Sequence, residues 1–258
     1  AWTMGGLSMM PATADFTIEN PGPDAPYKGA NAGYHSRILK ETEKASPGYY
    51  EVELYDHRVK AAMTATTRCS FQKYIFPECT DSRILMDLLF PTEWDYGFSV
   101  KEATIEQVSD TRIEGYAKCV SGAWSRWNDW TLYFSIRFSK PFDSFNGWKG
   151  TEVTENINKI SGSDEMGAYV TYKTAENEEI LIQTGLSLVS IEGARQNLEK
   201  EMIRPFRWDF EACVNNARQT WNSLLGKIKV EGGKEQDKRK FYTNLYRAYA
   251  GKQTWNDI

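Results

Sequence analysis

Histidine is nearly missing from this chain: only His35 and His57 occur in 258 residues, which excludes a His-rich metal site. Cysteine is sparse and scattered. Cys69, Cys79, Cys119 and Cys213 form no CxxC pair, so a zinc site is not indicated. Isolated cysteines in a chain of this length fit buried thiols, with one disulfide open as the alternative. No apolar run reaches the roughly 18 residues that a membrane-crossing helix needs, and no signal peptide is visible. The signatures GxGxxG, P-loop, HExxH and GxSxG are absent. There is no stripe of Lys and Arg, and the net charge of −4 with a pI near 5.5 gives no basic footprint for nucleic acid. Neither an internal repeat nor a low-complexity segment occurs.

What the chain does have is aromatic rings, at 14% of residues with nine Trp, in an otherwise ordinary composition of 41% hydrophobic and 26% charged. Two readings stand side by side. The rings build cross-strand pairs in a large β core, or some of them stack on the apolar faces of sugars. The cluster Trp124, Trp127, Asp129 and Trp130 in "GAWSRWNDW" carries the same ambiguity. Carboxylates such as Glu41 and Glu43 read as solvated or structural, because two acids in a sequence are not a catalytic pair without geometry.

Period-two alternation dominates the first three-quarters of the chain. Tyr50, Val52 and Leu54 alternate with Glu51, Glu53 and Tyr55; Val59, Ala61, Met63 and Ala65 alternate again after an Asp56-His57 turn, predicting a hairpin with one buried face. Further strands are predicted at "SRILMDLLF", "VKEATIEQV", "DTRIEGYAKCV", "GAYVTYK" and "EEILIQTGLSLVS". In "TLYFSIRFSKPF", Leu132, Phe134, Ile136 and Phe138 share one face and Pro141 ends the strand. Residues 12–48 are rich in Pro and Gly and read as a long loop. Eight or more strands without intervening helices imply antiparallel sheets in a two-sheet β-sandwich.

The period changes near Glu192. Ala194, Leu198 and Met202 stand at i, i+4 and i+8, and Asp209 is placed to cap a helix carrying Phe210, Val214, Ala217, Trp221 and Leu225. "GKIKVEGG" reads as a short strand and turn. The last helix carries Phe241, Leu245 and Ala248 beside a second stripe of Tyr242, Tyr246 and Tyr249. The division is thus a β-sandwich over residues 1–190 and a helical segment over 191–258. The apolar start "AWTMGGLSMMP" and the aromatic last helix both read as the inside of a larger domain.

Several stretches carry a resemblance. "ETEKASPGYYEVEL", "KAAMTATTRCSFQKYIFP", "FSKPF", "GLSLVSIEGARQNLEKE", "WNSLLGKIKVEGG" and "FYTNLYRAYAGKQTWND" resemble, in order, segments of the glycoside hydrolase family 92 α-mannosidases. The resemblance implies an N-terminal β-sandwich, helices that link it onward, and here the opening of an (α/α)6 barrel whose remainder is absent. It implies inverting, calcium-dependent hydrolysis of terminal α-mannosides in glycans. Inversion separates the two carboxyls by roughly 6.5–9.5 Å to admit a water, and calcium is a hard cation suited to sugar hydroxyls. Family acid, base and calcium ligands belong to the barrel, so no catalytic or metal residue maps onto this chain. No calcium is expected on the fragment, which is expected to be inactive alone. The N-terminal loop is the expected contribution to the sugar pocket rim: Trp2 as a stacking ring, with Gly5 and Gly6 permitting close backbone approach. A chain-end core aromatic is the alternative for Trp2. The resemblance also implies an exported parent enzyme, and the missing barrel as the partner of the aromatic last helix. A stand-alone carbohydrate-binding or structural sandwich remains the competing reading.

Overall fold

In the computed structural model, which describes residues 6–13, 18, 33–88, 98–121, 128–163, 165–250 and 256–258, strands dominate up to Ser187 and helices follow. The strands are β1 (Ser8–Ala12), β2 (Ile38–Ser46), β3 (Tyr49–Leu54), β4 (Val59–Ala65), β5 (Cys69–Phe76), β6 (Cys79–Asp87) and β7 (Ser99–Ser109). They continue as β8 (Arg112–Ser121), β9 (Asn128–Phe138), β10 (Ser144–Lys149), β11 (Glu152–Thr154), β12 (Lys159–Gly162), β13 (Met166–Thr174) and β14 (Glu178–Ser187). A nine-stranded sheet runs β12-β7-β8-β9-β14-β5-β4-β3-β2, and a five-stranded sheet runs β1-β6-β13-β10-β11. Every described pairing is antiparallel.

The sheets pack face to face, as the alternation in β9 requires. Phe134, Ile136 and Phe138 point into the core shared with Val52, Tyr74, Ile84, Met86, Val170 and Ile182, and Leu132 is buried at its margin. The outer face of the large sheet is also covered, by helices. Helix α1 (Ile191–Leu198) lies across β14 and β9 and continues through a π-helical turn, Glu199–Ile203, into Arg204–Phe206. The widening precedes Pro205, which has no N–H to return to the preceding turn. Arg207, at φ +52°, turns the corner. Asp209 then caps α2 (Phe210–Leu225), its Oδ1 accepting from the Ala212 N–H at 2.9 Å. Helix α2 buries Phe210, Cys213 and Val214 against Ala62 and Phe71 of β4 and β5.

Several expectations are corrected here. β3 buries the expected face through Val52 and Leu54, but β4 has two buried faces, not one: Ala61 points into the sandwich while Ala62 and Thr64 lie under the helices, and Ala65 is exposed. Residues 12–48 are not one loop, since β2 forms an edge strand on β3 with a register shift between Leu39 and Lys44. "GKIKVEGG" is not a strand. It pairs with no strand among the described residues; instead the Tyr242 hydroxyl donates to the Ile228 carbonyl at 3.0 Å and receives the Val230 N–H at 3.3 Å. All four cysteines are free, and Cys69, Cys119 and Cys213 are buried. The last helix, α3 (Glu235–Ala250), buries none of its residues fully, and Tyr246 meets Trp221 of α2 at a ring separation of 4.8 Å.

Candidate functional site

Of the residues expected at a sugar rim, Trp2 and Gly5 lie outside the described residues, as do Trp124 and Trp127 of the aromatic cluster. Gly6 is described and buried, with φ +122°. A β-carbon on it would sit 2.9 Å from Cys119 Sγ and 3.3 Å from the Leu132 side chain. Close approach does occur at Gly6, but it is to the core of this chain. Trp130 is half-buried against Phe98, and Asp129 is exposed.

The next residue, Leu7, enters a cleft of about 490 Å3 at the end of the large sheet. Its walls are apolar on one side, with Leu7, Met9, Leu132 and Leu186. The other side is polar, built from the turn at Thr66–Arg68, the turn at Ser187–Leu188, and the segment Asn256–Asp257. This polar side is a continuous hydrogen-bonded network. The Asp257 carboxylate receives the Ser187 hydroxyl at 2.7 Å and the Asn197 side-chain amide at 2.8 Å. The Ile258 N–H donates to Asn197 Oδ1 at 3.2 Å. Arg68 donates from Nε to the Asn256 carbonyl at 2.5 Å and from Nη1 to Glu201 at 2.7 Å. Glu201 also accepts from the Arg68 N–H and the Thr66 hydroxyl.

Why this segment docks here can be read from Gly193. A β-carbon on Gly193 would stand 2.1 Å from Asp257 Oδ2 and 2.7 Å from Ser187 Oγ, so the first turn of α1 is bare where Asp257 lies against it. Ser190 caps that turn, its Oγ accepting from the Gly193 N–H at 2.9 Å. The helix is held in place by Arg195, which reaches the buried Glu114 of β8.

Chemically the arrangement fixes backbone. Asp257, which lines the cleft, and Glu201, which holds Arg68 of its wall, already receive at least two protein donors each. Nor do the described residues contain a group of three or more His, Cys, Asp or Glu able to hold a metal ion. Sequence reading missed the Gly193–Asp257 contact. The signal was the glycine inside "SIEGA", in the first turn of a helix where a residue with a side chain is the better helix former.

Comparison with known proteins agrees with this layout. The family model described as glycosyl hydrolase family 92 N-terminal domain matches residues 1–187, and that described as glycosyl hydrolase family 92 catalytic domain matches residues 193–258. The structure of the family GH92 α-mannosidase BT3965 from Bacteroides thetaiotaomicron aligns at 26% identity, covering 98% of this chain and 33% of that one, with a TM-score of 0.84. Its complex with mannoimidazole aligns at 25% identity, covering 98% and 32%, with a TM-score of 0.83. The inverting mannosidase BT2199 from Bacteroides thetaiotaomicron VPI-5482 shares the fold at 23% identity, covering 93% and 29%, with a TM-score of 0.72. The chain spans about a third of the length of these structures. No curated protein sequence matches it. A family model covering residues 1–187 of 258 is decisive, and the chain belongs to glycosyl hydrolase family 92.

Proposed function

We propose that this chain is the sandwich and the start of the helical domain of an exported α-mannosidase that removes terminal α-mannose from glycans with inversion. The observation that carries the reading is the succession of two family models on one chain, with the change between residues 187 and 193 falling where Ser187 and Gly193 meet Asp257. In this reading the sandwich is a positioning domain. Its N-terminal segment forms part of the sugar rim through Trp2 and Gly5, while Gly6 packs on Cys119 and Leu132 in the core, and the Asp257 contacts set the orientation of the sandwich toward the helices.

The family resemblance implies calcium, which would supply a hard Lewis acid for sugar hydroxyls. The described residues do not fit it: they contain no group of three or more His, Cys, Asp or Glu able to hold an ion, and the Asp257 and Glu201 carboxylates accept from protein donors. The acid, base and ion belong in this reading to the remaining helical domain, and the 258-residue chain by itself hydrolyses nothing.

The test is to incubate the full-length parent and the 258-residue chain separately with an aryl α-mannoside, with and without a chelator. Turnover by the parent alone, releasing β-mannose first by NMR and lost with the chelator, is the expected result. Turnover by the short chain, abolished by changing one of its own carboxylates, would overturn the reading by placing the active site on these 258 residues.

A further inference from the structure

Toward the opposite end of β9 from Leu132, the outer face of the large sheet carries two arginines that face each other. Arg112 on β8 and Arg137 on β9 are direct cross-strand partners. Like charges in that relation repel, and the pairing persists only if something offsets it. The surroundings offer little. Arg112 Nε lies 3.8 Å from Glu114 Oε1, beyond hydrogen-bond reach, and the Glu114 oxygens already accept from Ser135 and Arg195. Glu199, the next carboxylate, pairs with Arg204 at 3.0 Å. Neither guanidinium donates a hydrogen bond among the described residues, although Arg137 is half-buried.

Arg137 instead meets a ring. Its guanidinium carbon lies over the Trp208 ring, 4.2 Å from the centroid, a cation–π contact with the indole at the corner between α1 and α2. Burial, and then the charge of Arg112, lower the proton affinity of Arg137, and the charge of Glu199 opposes them without overcoming them, so the site disfavours its own cation. The pair lines a cavity of about 370 Å3 with Ser109, Thr111, Ser139 and Trp208, within the range of roughly 300–1,000 Å3 typical of small-molecule sites. Two forked donors with three hydroxyls beside them suit a ligand with an oxyanion on a polyhydroxy body.

We propose that Arg112 and Arg137, with Ser109, Thr111 and Ser139, form a receptor for an acidic sugar, a saccharide bearing a carboxylate or a phosphate. The inference stands on this cavity alone and does not depend on the mannosidase reading.

The experiment titrates the protein in its full natural length, in low-salt buffer, with glucuronate, glucose 6-phosphate, inorganic phosphate and neutral mannose, by calorimetry and by thermal shift. Arg112→Gln, Arg137→Gln and Arg137→Lys are measured beside it. Glucuronate or glucose 6-phosphate is expected to bind, and each glutamine variant to weaken it by about tenfold, as loss of a charge-assisted forked contact does. Arg137→Lys keeps the charge and loses the fork, and is expected to fall between. Without ligand the glutamine variants should melt at or above the parent temperature, since one of two repelling charges is gone. Inorganic phosphate that competes with the acidic sugars supports the proposal. Phosphate binding without any sugar acid binding overturns the sugar part of it. No acidic probe binding, or equal binding by all variants, overturns it entirely. So does a melting temperature lowered by many degrees in both glutamine variants without ligand, because the arginines would then be holding the helical corner.

Discussion

Arg195 grips Glu114 with both sides of its guanidinium, Nε to Oε1 at 2.7 Å and Nη2 to Oε2 at 2.5 Å, although the two residues are 81 positions apart. Glu114 is only 3% exposed, so helix α1 is pinned to the sheet by a carboxylate almost wholly out of water. Removing Arg195 strands that charge. Arg195→Ala is expected to cost about 2 kcal/mol, the lower side for a buried pair because Arg195 itself is partly solvated. Replacing both residues by Leu should cost less than Arg195→Ala alone, which urea titration would reveal.

The same pair has a pH signature. Burial raises the Glu114 carboxyl, but the hydrogen bonds from Arg195 and Ser135 outweigh it and hold it below its ordinary range. A carboxylate depressed on folding adds stability above its unfolded pKa and loses it as pH falls through the folded value. The acid limb of a melting-temperature curve below about pH 4.5 should therefore be shallower in Arg195→Ala.

His57 acts in a higher window. Its Nδ1 accepts the Thr13 N–H at 3.4 Å and its Nε2 meets the Tyr34 carbonyl at 3.3 Å, an arrangement for the neutral ring with the proton on Nε2. Burial lowers its pKa against the opposing pull of the Tyr34 carbonyl. Above about pH 6.5 both folded and unfolded rings are neutral. As pH falls below that, the unfolded ring takes a proton first and stability declines until the folded pKa is reached. Melting between pH 7 and 5 should show this decline, and His57→Gln should reduce it.

Gly193→Ala sets two effects against each other. Alanine is the better helix former, by at most roughly 1 kcal/mol in this first turn, while the new β-carbon would meet Asp257 at 2.1 Å. The clash wins, with an expected net loss of about 1–3 kcal/mol. Asp257→Ala alone also destabilises, yet the double variant should be better than the sum of the two, because the clash then has no second party.

Thiol reactivity should sort by burial. Cys119 is pushed up to about 12 and Cys213 to about 11 by burial, and Cys69 is raised by the same cause. A thiol reagent at pH 8 should label Cys79 in the folded chain and the other three only after denaturation.

Strand β9 was legible because one face meets only apolar core and alternation survives. β2 was not: it is an edge strand, mostly exposed, with its register broken between Leu39 and Lys44, so no face is uniformly apolar. β10 escaped for the opposite reason, since Phe145, Asn146, Gly147 and Trp148 are all buried and erase the period. Ile228 and Val230 imitated a strand but pair with none among the described residues. The helices were legible from Ala194, Leu198 and Met202, and from the Asp209 cap, which are local signals. The contact of Gly193 with Asp257 was not, because 64 residues separate them and neither carries a pattern that names the other. The cross-strand relation of Arg112 and Arg137 requires the register of β8 on β9, which composition does not encode.

Asp257 gives the sandwich a second attachment. A domain joined by one strand of chain keeps a pivot; one that is also fastened at a distant point does not. The strands of the sandwich end at Ser187, and after the helices the chain meets them again at Asn256–Ile258, so any exchange of sandwiches between family members cuts across both crossings. A graft made anywhere between residues 190 and 256 would inherit Ser187, Gly193 or Arg68 from one parent and Asp257 from the other. Such hybrids should assemble only when donors and glycine are transplanted together with the aspartate they receive.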